Sequence, residues 1–332
     1  MTTPKWTVLV TTRFFDSDAV AYLESQGCRV VTAGLAHDES DEALSAEDLR
    51  AQLSVADAWI VGLAAVDAGA VRLAPRLRIV ARRGVGYDRV DLAAVSAAGG
   101  VLTITPNTNT DSVADYVVGM MLAAGMRIAE GNERLKHGDD RALISRELSG
   151  KTVGIVGIGR VGRAVAKRLR GFDVRLLGFD PYLDAAAVSR EDITPVGMDD
   201  LLAESDFVSL HVPLNDETRN LMDGRALGLM KRTAILVNCA RGGLIDESAL
   251  LDALQNGKLG GAALDVFAPD RASVRLLLSA LPNVVTTAHS AGSGEAGLAK
   301  ANLMAASCVV DVLNGRTPPP ECVVAPPASA PR

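Results

Sequence analysis

Short apolar runs alternate with segments of helical period along most of the chain. Trp6–Thr11 reads as a strand and Ser17–Gln26 as a helix stopped by Gly27. Arg29–Ala33 predicts a second strand, followed by an acidic, Ser-rich loop from His37 to Ser45. Ala46–Leu53 reads as a helix, Ala58–Val61 as a strand, Gly69–Leu73 as a helix and Arg78–Ala81 as a strand. Strands alternating with helices in this way imply parallel βαβ units.

The pattern changes between Asp111 and about Lys136. Ser, Ala, Met and Leu recur there at helical spacing without a proline, which predicts one long helix, capped by Asp111 and ended before Gly138. Such a helix is long enough to join or brace two lobes. A second βαβ series runs from Lys151 to His289, and Glu295–Leu313 is a further helix ending at Asn314-Gly315. The Pro/Ala-rich tail is expected to order as a strand at Cys322–Val324 and to fray beyond it.

Composition narrows this picture only moderately. With 332 residues, 48% hydrophobic and 22% charged, the chain has the proportions of a globular protein of about two domains. The formal charge of −6 disfavours a general nucleic-acid or anionic-membrane binder. The apolar runs read as too short for a membrane span, and Met1–Val10 does not read as a signal peptide. Cys28, Cys239, Cys308 and Cys322 are scattered without metal-ligand spacing, so no metal site is expected and a reduced, cytoplasmic location fits.

The sharpest chemical signal is KTVGIVGIGRVGRAVAKRL. An apolar strand, Thr152–Val156, runs into Gly157, Gly159 and Gly162 in G-x-G-x-x-G spacing, and an amphipathic helix follows. Gly157 permits the tight turn, Gly159 lets backbone approach a pyrophosphate, and Gly162 allows close helix–strand packing. The strand Val174–Phe179 ends in Asp180, 23 residues after Gly157. A carboxylate there accepts ribose hydroxyls and repels a 2′-phosphate, which favours NAD over NADP; the competing reading is an Asp that caps the turn before Pro181.

Four more strands of this series end in reactive turns. These turns hold His211-Val212-Pro213, Cys239-Ala240-Arg241, Asp265-Val266-Phe267 and Ala288-His289-Ser290. Ligands of open parallel sheets gather at the carboxyl ends of strands, so the four turns share one crevice. His211 precedes a Val-Pro pair that would line the cofactor, and it reads as structural. His289 is followed by small residues that leave room for a substrate, and its imidazole can move a proton near neutral pH. A strand-end His bonded to backbone is the alternative. His37 and His137 lie in polar loops and read as solvated.

The motifs GIGRVG, FDP, LHVPL, NCARGGLIDESAL, GAALDVF and NVVTTAHSAG resemble those of the D-2-hydroxyacid dehydrogenases, which include phosphoglycerate, glycerate and formate dehydrogenases. RRGVGYDRVDL and NTNTDSVADYVVGMML extend the resemblance over roughly Val8 to Val324. It implies an α/β fold of two doubly wound parallel-sheet lobes. A flavodoxin-like substrate lobe would comprise 1–103 plus 290–332, with a Rossmann NAD lobe, 104–289, inserted. By the same resemblance Arg241 clamps the substrate carboxylate, His289 is the general acid or base, and Asp265 holds the nicotinamide carboxamide. Arg160 and Val161 would join the three glycines at the pyrophosphate. Further cofactor contacts would come from His211, Pro213, Cys239, Ala240, Arg241, His289 and Gly292. Val85 and Gly86 would meet the substrate, lobe closure would exclude water, and the protein would be a homodimer.

The chain also departs from the family pattern. The Glu that pairs with the catalytic His is replaced by Asp270, followed by Arg271 instead of Pro. Asp270 either hydrogen-bonds His289 from a shorter side chain or faces solvent in its loop. The usual T-P-H reads T-A-H, and the Gln that formate dehydrogenases place before their His is missing. WIVGLAAVD lacks the base that phosphoglycerate dehydrogenases place after the third strand, and Val85 or Gly86 stands near the lysine of phosphite-oxidising relatives. Arg82 and Arg83 are either surface residues or charge for a second anionic group. The expected activity is NADH-dependent reduction of a small 2-keto acid to its D-2-hydroxy acid. The alternatives are a biosynthetic reductase of a phosphonate or other doubly anionic acid, and an NAD-sensing corepressor-like binding protein.

Overall fold

The computed structural model describes residues 4–189, 192–268 and 271–325. They form two compact units, one of 1–109 with 293–332 and one of 110–292. Along the first unit run β1 (Trp6–Val10), α1 (Ser17–Ser25), β2 (Cys28–Thr32), α2 (Arg50–Leu53) and β3 (Ala58–Val61). Then come α3 (Ala68–Leu73), β4 (Ile79–Arg82), α4 (Leu92–Ala97) and β5 (Val101–Ile104).

The second unit opens with α5 (Thr110–Gly125) and α6 (Ile128–Lys136), followed by β6 (Thr152–Val156), α7 (Arg160–Leu169) and β7 (Arg175–Phe179). It continues through α8 (Ala185–Ser189), β8 (Thr194–Pro195), α9 (Met198–Glu204), β9 (Phe207–Leu210) and α10 (Gly224–Leu229). It ends with β10 (Ile235–Asn238), α11 (Glu247–Gln255), β11 (Gly261–Leu264), α12 (Ala272–Ser279) and β12 (Val284–Thr286). The chain then returns to the first unit with α13 (Glu295–Leu313) and β13 (Val323–Ala325).

The first sheet has the order β13-β5-β4-β3-β1-β2, all parallel except for β13 against β5. Without β13 this is the flavodoxin-like order, whose direction reverses between β1 and β3. The second sheet, β12-β11-β10-β9-β6-β7-β8, is wholly parallel and reverses between β9 and β6, as in a Rossmann sheet. Both are α/β doubly wound sheets. β3, β9, β10 and β11 are buried at every position, which is why they read as continuous apolar runs. Burying each Val, Leu or Ile in them contributes about 1.5–3 kcal/mol.

The long helix expected from Asp111 to Lys136 is two helices bent by 60°. Gly125 at the end of α5 has no room for a side chain: a Cβ there would stand 2.8 Å from the Arg146 carbonyl oxygen and 3.0 Å from the Phe207 ring. The Gly125 carbonyl accepts the Arg146 N–H, and Arg127 takes the left-handed conformation (φ 54°) with its guanidinium on Glu130. Asp111 lies inside the first turn of α5 and pairs with Arg168 of α7 instead of capping.

Two other expectations change. The helix at Ala46–Leu53 shrinks to the single turn of α2, which follows the acidic loop. Asp41 is buried there and accepts from Thr11 Oγ1 (2.8 Å), Gly62 N (2.8 Å) and Leu63 N (2.6 Å). Among the described residues one helix, α13, is long and apolar enough to cross a membrane, yet in this fold it packs with β1, β3 and β4 in the first unit's core. Pro326–Arg332, where fraying was expected, lies outside the described residues.

Gly154 in the middle of β6 sits under α9, where a Cβ would overlap Leu201 Cδ2 and approach Ser205 Oγ to 2.5 Å. Gly154→Val is expected to lower stability by about 1–3 kcal/mol through overpacking. The urea midpoint should fall with an unchanged m-value.

Candidate active site

The Gly-rich turn is built by contacts that exclude side chains. Gly157 has φ +91°, and a Cβ on it would lie 2.9 Å from the backbone of His211. A Cβ on Gly162 would overlap the Gly157 carbonyl oxygen. Gly159 caps α7 without a side-chain bond and has open space around its Cβ position. The N-terminal backbone of a ten-residue helix is thereby presented to an anion. Asp180, directly after β7, accepts Ile158 N at 2.9 Å on Oδ2 and Tyr182 N at 3.0 Å on Oδ1. It therefore fixes the glycine turn and caps its own, and each oxygen keeps a lone pair for a ribose hydroxyl. Arg160 is exposed and Val161 half-buried in the first turn of α7. A dinucleotide fits this cradle: open space lies at Gly159, and a carboxylate stands where the ribose is expected.

The ends of β9, β10, β11 and β12 lie side by side on one edge of the second sheet. Directly after β9, His211 bonds Ser209 Oγ through Nε2 at 3.0 Å. Desolvation lowers its pKa to about 4, so the ring is neutral near pH 7. Pro213 is exposed, and its carbonyl accepts Thr218 Oγ1. At the end of β10, Asn238 is fully buried and pins the next turn, accepting Ala240 N at 3.0 Å and donating to Arg241 O at 2.8 Å. Cys239 is half-buried, with its thiol pKa raised by burial. Arg241 is half-buried and donates through Nη1 to Ala240 O at 2.7 Å.

The turn after β10 and the loop after β11 are locked together. A Cβ on Gly242 would overlap Phe267 and Ala268 backbone, and the buried Glu247 accepts Ala268 N at 2.6 Å. This contact holds the loop that leads to Asp270, which itself lies outside the described residues. Asp265 is 1% exposed, and its carboxylate accepts Thr287 Oγ1 (2.6 Å), Ser290 N (2.8 Å) and Ala291 N (3.0 Å). Its carbonyl oxygen accepts His289 N at 2.8 Å, and His289 adopts φ +52°. Asp265 thus positions the His289 turn, a task the family resemblance did not imply. Gly292 closes the second unit, one residue past Ala291.

Sequence reasoning missed Asn238, Glu247 and the restraint at Gly242. Asn238 reads as the last letter of an apolar strand and Glu247 as an ordinary acid in a helix's first turn. Neither pattern reveals burial.

On the first unit, the turn after β4 holds the remaining candidates. Gly84 (φ +140°) exchanges hydrogen bonds with Thr105, through N to Oγ1 and O to N. Val85 is exposed and Gly86 half-buried, and no described acceptor takes either N–H. Arg82 and Arg83 do not act as a pair. The Arg82 guanidinium folds beneath Gly84 and donates to Arg83 O, whereas Arg83 donates through Nε to Thr12 Oγ1 at 2.7 Å.

Two measurements test this geometry. Gly162→Ala is expected to weaken NADH binding at least ten-fold by displacing the Gly157 carbonyl, read by nucleotide fluorescence titration. His211 titrates near 6.5 unfolded and about 4 folded, so its contribution to stability is complete above about 6.5 and lost as pH falls toward 4. His211→Gln should therefore flatten the acid limb of stability against pH between those values, measured by urea unfolding.

Residues 118–291 match the profile of the D-isomer-specific 2-hydroxyacid dehydrogenases, NAD binding domain. The chain is 36% identical over 302 residues to a D-3-phosphoglycerate dehydrogenase of Methanocaldococcus jannaschii, covering 90% of this chain and 56% of the relative. It thus spans little more than half the length of that relative. It is also 37% identical over 297 residues to a glyoxylate reductase of Thermofilum pendens, covering 85% of this chain and 86% of the relative. Among solved structures, it is similar to apo D-lactate dehydrogenase from Escherichia coli (TM-score 0.80, 28% identity, 94% of this chain and 98% of the other). It is also similar to D-lactate dehydrogenase from Aquifex aeolicus complexed with NAD and lactic acid (TM-score 0.79, 26% identity, 93% and 96%). With the glycine cradle and the strand-end turns in place, the chain belongs to the D-isomer-specific 2-hydroxyacid dehydrogenase family, and residues 118–291 are its NAD-binding domain.

Proposed function

We propose that this chain reduces a small 2-keto acid to the D-2-hydroxy acid, reversibly, consuming one NADH and one proton per turnover. The observation that carries this reading is the shared edge of the second sheet, where Arg241, the His289 turn and the glycine cradle follow parallel strands. When bound, the dinucleotide supplies the hydride. The names of the relatives, glyoxylate reductase and D-lactate dehydrogenase, support a small 2-keto acid as substrate.

Each residue then has a task suited to its chemistry. Arg241 holds the substrate carboxylate with a planar fork of donors. His289 gives its proton to the carbonyl oxygen during reduction and takes it back in the reverse direction. Asp270 pairs with His289 and favours its protonated form, the part played by Glu in relatives. Asp180 accepts the ribose hydroxyls, and Asp265 has acceptor capacity left for the carboxamide after bonding the His289 turn. Val85 and Gly86 offer N–H groups to the substrate on the first unit.

The same reading places the protein as a homodimer in a reducing, cytoplasmic compartment. Exposed Met126, Ile128, Leu135 and Ile144 along one stretch of the second unit support a partner surface. The four free thiols support the compartment.

Activity assays on variants decide the assignment. His289→Ala should lower kcat by about 10²–10⁴-fold while keeping NADH affinity; turnover at the wild-type rate would sink the role. Asp270→Asn should shift the pH profile of kcat/KM, and an unchanged profile makes Asp270 a bystander. Arg241→Lys should lower kcat/KM at least ten-fold, chiefly through KM.

A further inference from the structure

We infer that Arg83 forms a second anion subsite on the first unit, held by Thr12, that selects 2-keto acids carrying a further carboxylate, phosphonate or phosphate group. The inference rests on the keto-acid reduction proposed above and names its substrate class. Arg83 follows β4 directly, with its N–H on Val61 O (3.0 Å) and its Nε on Thr12 Oγ1 (2.7 Å). Thr12 lies two residues past β1 and is 6% exposed. The guanidinium is thereby fixed at the carboxyl edge of the first sheet, next to the point where strand order reverses. Open α/β sheets take ligands there.

What marks this arginine is the absence of a counter-ion. Among the described residues no carboxylate oxygen pairs with it, and Thr12 is its sole side-chain partner. The carboxylates whose fields reach it, Asp41 and Asp16, are occupied by other donors. Asp41 accepts Thr11, Gly62 and Leu63, and Asp16 accepts Ala19 N and Asn302 Nδ2. Arg13, adjoining Thr12, adds a like charge. Burial and that repulsion lower the Arg83 pKa to about 10, which leaves it charged at neutral pH. A desolvated cation with a cationic neighbour and two unengaged nitrogens is stabilised by a dianionic group that takes its fork.

The other candidates on this unit do not compete. Arg82 is folded under its own turn, and the turn after β3, which carries no base, is bonded down onto Asp41. Arg83 stands two residues before Val85, at most about 7 Å of chain. The arginine and the N–H groups of Val85 and Gly86 therefore rise from one and the same turn.

The test is steady-state NADH oxidation with pyruvate, oxaloacetate and phosphonopyruvate by wild type, Arg83→Leu, Arg83→Lys and Thr12→Val. Wild type should favour at least one dianionic acid over pyruvate by ten-fold or more in kcat/KM. Arg83→Leu should reduce that ratio at least ten-fold through KM, Arg83→Lys should restore part of it, and Thr12→Val should show a smaller loss. The dianion whose ratio falls most identifies the second group as carboxylate or phosphonate. A preference for pyruvate in wild type, or a ratio untouched by Arg83→Leu, overturns the subsite and leaves the reductase reading standing. If neither these three acids nor glyoxylate is reduced, the reductase reading fails, and calorimetry decides the subsite separately. Phosphonoacetate should then bind wild type at least ten-fold tighter than acetate and lose that margin in Arg83→Leu; equal binding overturns it.

Discussion

A buried carboxylate with several donors aimed at it is the interaction on which this candidate site depends. Asp265 collects the hydroxyl of Thr287 and the N–H groups of Ser290 and Ala291, while its own carbonyl takes the N–H of His289. Removing an ionised carboxylate from water is costly unless such bonds replace the lost hydration. The bonds in turn leave the His289 turn little freedom, which a left-handed His289 requires. The proton-transfer role proposed for His289 calls for a restrained turn of this kind.

The same device recurs at other strand ends. Asp180 bonds the glycine turn to β7, and Asp41 closes the turn after β3 onto β1. At the opposite edges, Asp57 accepts Thr7 N and the Arg76 guanidinium, and Asp206 accepts Thr152 N and the Lys231 ammonium. The two sheets thus place an acid before the strand that neighbours their first, β3 in one and β9 in the other. Parallel strands leave N–H groups unladdered at both edges, and short acids satisfy them locally. Arg83 is a contrast to this scheme, since among the described residues its side chain bonds only the Thr12 hydroxyl.

Much of the fold was legible because its causes are local. Buried parallel strands must be apolar on both faces, so β3, β9, β10 and β11 appear as runs of apolar residues. The glycine spacing is legible for a similar reason: at 157 and 162 only glycine tolerates the backbone contacts, and at 159 it leaves open space. The break between α5 and α6 was not legible: Ala123 to Ile128 contains no proline, and the Gly125 carbonyl that a continuing helix would use is taken by the N–H of Arg146, 21 residues on. Glu247 was overlooked for the same reason, since its partner Ala268 lies 21 residues away, whereas Asn238 bonds its own turn, whose hydrogen bonds periodicity does not describe.

The sequence by itself determined the two α/β sheets, the glycine cradle with Asp180 at its side, and the order of the reactive turns. Each follows from residue type and spacing along a few contiguous residues. Tertiary structure alone decided which charges are satisfied. It saturated Asp41 and Asp265 with donors, turned Arg82 under its own loop, and left Arg83 bonded to Thr12 with no counter-ion among the described residues. A side chain's charge is written in the sequence, but its partners are set by distant chain segments, 71 residues away for Arg83 and Thr12 and 286 for Asp16 and Asn302.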